Sequence, residues 1–193
     1  MSYTDKLYEG CYYHIYNRGI NGENLFLNSD NCDYFVKLYK KHVSSLVDTY
    51  AYCLMKNHFH LLVYIKEVSF EKSISQIFSN MFNAYTKAFN NVNARHGSLF
   101  ERPFKRKLIE TQSHLIQTVF YIHNNPLKHG FTDRMTDWQY SSYNAYLSSQ
   151  KTLLKKEDCL SWFADINEFV QYHRDMTEDR LEKELEFNGM DVW

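Results

Sequence analysis

Two strand-like runs, residues 48–55 and 59–65, are separated by little more than the Lys56-Asn57 link. A connection that short forces neighbouring strands to run antiparallel, as a hairpin. In the second run Phe59, Leu61, Val63 and Ile65 alternate with other side chains, so one face of the strand is continuously apolar and has to be buried. Helical segments on either side supply the cover. Residues 28–45 place Tyr34, Phe35, Leu38, Tyr39 and Val43 on one side of a helix that Asn28-Ser29-Asp30 can cap. Residues 70–93 place Ile74, Ile77, Phe78, Met81, Phe82, Tyr85 and Phe89 on one stripe, ended by His96-Gly97. Residues 11–18 read as an aromatic-rich strand before the first helix, and residues 104–110, after Pro103, as a fourth strand.

The order is therefore β-α-β-β-α-β, the ferredoxin-like arrangement of an α+β protein. It implies a four-stranded, mostly antiparallel sheet with helices on one face and the other face open for a site. A further helix begins near Ser113 and is expected to end or kink near Pro126. Residues 167–186 read as an appended helix with an exposed acidic face. The expected division is a functional domain over 1–147 and an acidic, partly helical extension over 148–193.

Composition narrows the class. Apolar residues make up 44% of the 193, too many for a disordered chain. The four cysteines form no C-x-x-C pair, no segment reads as a signal peptide, and no apolar run reaches the roughly 20 residues that span a membrane. A cytoplasmic protein with reduced thiols, off the membrane, is expected. The net charge of -1 hides an asymmetry. Residues 1–130 carry 15 Lys+Arg against 10 Asp+Glu, and residues 131–193 carry 7 against 13. A basic first part fits a nucleic-acid surface.

His58 and His60 lie two apart on the third strand and point to the same face, away from Phe59 and Leu61. Two imidazoles about 7 Å apart along a strand can converge on one metal ion. They are too few for a catalytic site, which usually takes three protein ligands and keeps a position open. The helix from Ser113 carries a polar stripe of His114, Gln117, Thr118, Tyr121 and Asn125. The Asn125 carboxamide oxygen can complete a His-His-O site, one turn from Tyr121.

These residues sit within an ordered set of motifs. The set runs Tyr13-His14-Ile15-Tyr16-Asn17-Arg18-Gly19, then Leu54-Met55-Lys56-Asn57-His58-Phe59-His60-Leu61-Leu62-Val63. It continues with Gly97-Ser98-Leu99-Phe100-Glu101-Arg102-Pro103-Phe104 and Tyr121-Ile122-His123-Asn124-Asn125-Pro126-Leu127-Lys128-His129-Gly130, and ends with Trp138-Gln139-Tyr140-Ser141-Ser142-Tyr143. The set resembles the REP-associated tyrosine transposases, within the single-tyrosine HUH transposase family. Lys56 stands where that family often has Pro.

The resemblance implies an enzyme that cuts and rejoins single-stranded DNA beside a hairpin through a 5′-phosphotyrosine intermediate. It implies Tyr121 as nucleophile and His58, His60 and Asn125 as ligands of a divalent ion, Mg²⁺ or Mn²⁺. Asn17, Arg18, Arg102, Lys105, Arg106 and Lys128 become candidate DNA contacts, in a monomer or homodimer. The alternatives are a domain of the same fold that binds hairpin DNA or RNA without cutting it, and a hydrolase that uses water.

Overall fold

The computed structural model describes residues 5–68, 73–176, 181 and 183. Its sheet is built from β1 (Tyr12–Arg18), β2 (Val47–Leu54), β3 (His58–Ile65) and β4 (Lys105–Ile109). These strands are hydrogen-bonded in the order β2-β3-β1-β4, every neighbouring pair antiparallel. Helix α1 (Ser29–His42) follows β1 and α2 (Ile74–Val92) follows β3, which gives the expected β-α-β-β-α-β order. Asn28 caps α1 by accepting the Asn31 N–H, and Ser73 caps α2 by accepting the Gln76 N–H. The expected first residues of the second helix, 70–72, and residues 177–180, 182 and 184–186 of the expected C-terminal helix lie outside the described residues. No helix among the described residues is long and apolar enough to cross a membrane.

Alternation along the strands sorts the side chains as expected. Tyr13, Ile15, Phe59, Leu61, Val63 and Ile65 pack with Phe35, Phe78, Phe82 and Tyr85 in a core between the sheet and α1/α2. Tyr85 is a core residue whose hydroxyl donates to the Leu25 carbonyl at 2.6 Å. The link from β1 into the next loop is tight. Gly19 donates its N–H to Asn57, and a Cβ on Gly19 would lie 1.9 Å from the Glu23 carbonyl oxygen.

The second face of the sheet differs from expectation. It is not open: α3 (Gln112–Lys128) lies across it, and α4 (Tyr143–Leu147), α5 (Lys156–Trp162) and α6 (Ile166–Asp175) complete a second core. A bulge between Thr49 and Ala51 turns both Tyr50 and Ala51 towards this side. Both sides of α3 are consequently buried. Leu115, Val119 and Phe120 belong to the second core, yet His114, Gln117, Thr118, Tyr121 and Asn125, the polar stripe, are buried too. The helix includes Pro126 and ends two residues later at Lys128, close to its expected end. A proline so close to the C-terminus sacrifices one backbone bond of a helix held by packing on both sides.

The C-terminal extension is likewise more than an appendage. Glu168 and Asp175 are exposed as expected, but on the opposite side of α6 Phe169 is fully buried against Tyr143, Tyr146 and Phe163. The β2 edge is covered by backbone bonds from Ser142 to Tyr52 and from Lys155 to Thr49.

A buried polar chain ties α6 to α3 and then to the sheet. His173 Nδ1 lies 2.8 Å from the Phe169 carbonyl, which can only accept, so the proton is on Nδ1. His173 Nε2 then accepts from His123 Nδ1 at 2.9 Å, and His123 Nε2 from the Ser142 hydroxyl at 2.7 Å. The Ser142 oxygen in turn accepts the Tyr52 N–H at 2.9 Å. Burial holds His173 down to about 4, and burial followed by the neighbouring His173 holds His123 well below the ordinary value.

Two variants test this packing. Gly19→Ala should lower the thermal midpoint of unfolding, because backbone must shift to admit the methyl group. His173→Phe should cost about 1–3 kcal/mol in denaturant unfolding, by stranding the His123 N–H. The unfolded chain takes up protons near the ordinary histidine value of 6.5, while these rings stay neutral in the fold. Stability should therefore be complete above pH 6.5, fall as the pH drops towards about 4, and fall less steeply in His173→Phe.

Candidate active site

His58 and His60 stand on the face of β3 that α3 covers, paired across the sheet with Arg18 and Tyr16 of β1. His60 is buried, His58 half-buried, and their ring centroids are 5.2 Å apart. Each ring is held at Nδ1. His58 Nδ1 lies 2.7 Å from Asn57 Oδ1, and His60 Nδ1 lies 2.8 Å from His14 Nε2. An amide oxygen only accepts, so His58 carries its proton on Nδ1 and has its lone pair on Nε2. Burial, then the neighbouring His129, pushes His58 down to about 4, although the Asn125 amide opposes the shift. Burial and then His14 and His58 hold His60 well below its ordinary value. Both imidazoles are thus neutral near pH 7, the form in which a histidine binds a metal.

Across from them, α3 presents Tyr121 and Asn125. Thr111 starts the helix by accepting the His114 N–H. The Tyr121 ring stands edge-on to His60, at 5.3 Å and 90°, and to His14 at 5.8 Å, with Lys128 Nζ 5.7 Å above it. Asn125 is fully buried and its orientation is fixed, because Nδ2 donates to the Tyr121 carbonyl at 2.8 Å. That leaves Oδ1 on the His58 side as a buried acceptor with no well-formed hydrogen bond.

A cavity of about 600 Å³ opens between these elements. Its walls include His58, His60, Tyr121, Tyr16, Asn17, Arg18, Lys105 and His129. Arg18 reaches Glu101 at 2.5 Å, and Asn17 donates to the Glu101 carbonyl at 3.1 Å. Arg102 and Arg106 are not brought here. They line a neighbouring cavity of about 320 Å³ against α2 that shares Asn17 and Glu101 with the first. Arg102 bonds Asn83, and Arg106 bonds the Asp5 carbonyl and lies over the Phe104 ring. Adjacent residues of β4 face opposite ways, which separates Arg106 from Lys105.

Sequence reasoning missed His14, Tyr16, Asn57, His129 and Phe131. The first two carried a usable signal, since alternation along β1 puts Tyr12, His14 and Tyr16 on one face. His129 and Phe131 lie just beyond the expected end of α3, and nothing in their spacing marks them.

The donor set fits a metal in part on nitrogen and in part on oxygen. Among the described residues no three His, Cys, Asp or Glu side chains could hold an ion together. An amide oxygen is the donor left over, and the open Asn125 Oδ1 supplies one.

Comparisons with known proteins give the family of the chain and a likeness of its fold. The family model described as transposase IS200 like matches residues 7–125. A protein of Haemophilus influenzae, named as a REP-associated tyrosine transposase, is 29% identical over 104 residues. That match covers 50% of this chain and 59% of the relative, less than two thirds of its length. The solved structure of a REP-associated tyrosine transposase bound to a REP hairpin matches with a TM-score of 0.59 and 16% identity, over 79% of this chain and 89% of that one, a likeness of fold. With more than half of its length inside the family model, the chain belongs to the IS200-like transposases.

Proposed function

We propose that this protein cuts and rejoins single-stranded DNA next to a hairpin, with Tyr121 as the nucleophile. The observation that carries the reading is the pairing of Tyr121 and Asn125 on one buried helix face, opposite His58 and His60, at the wall of a basic cavity. Hairpin DNA as the substrate class is taken from the solved relative, whose structure contains a REP hairpin. Residues 1–147 carry the activity in this reading, and the described part of the extension, through Cys159, Phe163 and Phe169, packs in the same core as α3.

Tyr121 attacks phosphorus, its phenolic oxygen forms the new P–O bond, and the bond to the 3′ oxygen breaks. The phenol gives up its proton, the departing 3′ oxygen gains one, and the DNA is left with a 5′-phosphotyrosine and a free 3′-OH. A phenol, with an ordinary pKa of about 10, is a better nucleophile near neutrality than water and a tolerable leaving group in the reverse step. The covalent bond keeps the phosphodiester energy, so rejoining needs no other energy source. His58, His60 and Asn125 would hold a Mg²⁺ or Mn²⁺ ion, which would supply Lewis-acid stabilisation of charge on the scissile phosphate. Lys128 Nζ stands 5.7 Å above the Tyr121 ring, and Arg18 and Lys105 at the cavity wall bind backbone phosphates.

Incubating wild type and Tyr121→Phe with a labelled hairpin oligonucleotide and Mn²⁺ should give a covalent protein–DNA adduct only with wild type. Cleavage that survives in the Phe variant would assign the chemistry to water, and hairpin binding by a wild type that forms no adduct would assign a binding protein. His58→Ala should reduce adduct formation by more than about 100-fold at limiting Mn²⁺, beyond the usual cost of losing an outer partner of a ligand. Equal rates across a Mn²⁺ titration would remove His58 from the site. Replacing both Arg18 and Lys105 with Ala should weaken hairpin binding and flatten its salt dependence by about 0.7–0.9 in log–log slope for each phosphate no longer neutralised.

A further inference from the structure

We propose that His14 is the positioning residue for His60: its Nε2 accepts the His60 Nδ1 proton and so turns the His60 Nε2 lone pair towards the metal. The inference rests on the reading of His60 as a ligand. It assigns a role to a residue outside the candidate donor set.

The placement comes from β1. His14 and Tyr16 share the sheet face that α3 covers, and Tyr16 is the residue directly opposite His60 on β3. His14 is therefore a diagonal neighbour of His60 and reaches across with its ring. The centroids are 5.0 Å apart, the planes 26° apart, and Nε2 of His14 lies 2.8 Å from Nδ1 of His60. His14 is completely buried, so its ring cannot swing out to solvent. Tyr16 lies nearly parallel to both imidazoles, at 4.8 Å from His14 and 5.6 Å from His60, and Tyr121 closes the other side edge-on.

Proton accounting sets the direction of the bond. A neutral imidazole that binds a metal through Nε2 carries its proton on Nδ1. His60 then donates, and His14 must accept at Nε2 with its own proton on Nδ1. The opposite direction would put the His60 proton on Nε2, where it blocks the metal. His58 is handled in parallel, with Asn57 Oδ1 as the acceptor at 2.7 Å. Each ligand thus has its own acceptor, the amide of the preceding residue for the half-buried ring and a second histidine for the buried one.

The test uses the full chain with ¹⁵N-labelled histidine. Long-range proton–nitrogen spectra of the metal-free protein, with His60 assigned by a His60→Gln variant, should show the His60 proton on Nδ1. His14→Leu, which has no acceptor, should move that proton at least partly to Nε2 and weaken Mn²⁺ binding, read from the resonance of free Mn²⁺, by about 10–100-fold. His14→Gln places an amide oxygen near the lost nitrogen and should restore most of the affinity. A wild-type His60 protonated on Nε2 overturns the proposal. So does a folded His14→Leu that binds Mn²⁺ like wild type, or a His14→Gln that loses as much as His14→Leu. If His14→Leu does not fold, the wild-type tautomer and the Gln variant decide. Failure of wild type itself to bind Mn²⁺ sinks the metal site, an outcome distinct from a wild type that binds and a Leu variant that binds equally well.

Discussion

The contact between α3 and the histidine-bearing face of the sheet sets the geometry of the whole site, because the donors come from both sides of it. His58 and His60 are fixed by their strand, whose apolar face is locked into the first core. Tyr121 and Asn125 are fixed only if α3 keeps its rotation about its own axis. A turn of one residue, about 100°, would carry the Asn125 carboxamide away from His58 altogether. The second core opposes that rotation, since Leu115, Val119 and Phe120 are buried in it, with Phe120 against Tyr172 and His173 of α6. The His173–His123–Ser142 chain adds a directional link through α3 to the β2 edge.

The site asks two things of its basic groups, and burial separates them. A histidine that binds a metal has to be neutral, and burial first of all drives His58 down to about 4 and holds His60 well below its ordinary value. The polyanionic substrate of the proposed function would call instead for positive charge, which side chains nearer solvent, Arg18 and Lys105 on the cavity wall, would supply. Both kinds sit on one sheet face, so depth beneath α3 decides which nitrogen stays neutral and which stays charged.

Much of this was legible in the sequence because the signals are local. The period of two along β3 separates His58 and His60 from the core, and the period of 3.6 along α3 aligns Tyr121 with Asn125. What stayed hidden depends on contacts between distant segments. Nothing within α3 says that its polar stripe is buried, because the residues that cover it come from β1 and β3. The C-terminal extension reads as an acidic, appended helix because charge dominates its composition, whereas its contribution to the second core rests on a few residues, Cys159, Phe163, Phe169 and His173. His14 fell between the two kinds of signal: its face was readable, but its partner required the register between β1 and β3.

Burying polar groups is costly unless they are paired, and the second core buries many of them. Most of the resulting bonds can be followed atom by atom: Thr118 to the His114 carbonyl, His123 to His173 and Ser142, Tyr52 to Ser142, His60 to His14. Against that background the Asn125 oxygen stands out. Its own amide nitrogen is tied to the helix, the residue is fully buried, and yet Oδ1 makes no well-formed bond beside an imidazole whose free nitrogen is also a lone-pair donor. Both groups are acceptors, and something positive beside them would satisfy them. A proton on His58 would satisfy them, but burial opposes it down to about pH 4. The divalent cation of the proposed function would give the oxygen a partner without protonating His58, which is the physical reason for assigning Asn125 as the third ligand in that proposal.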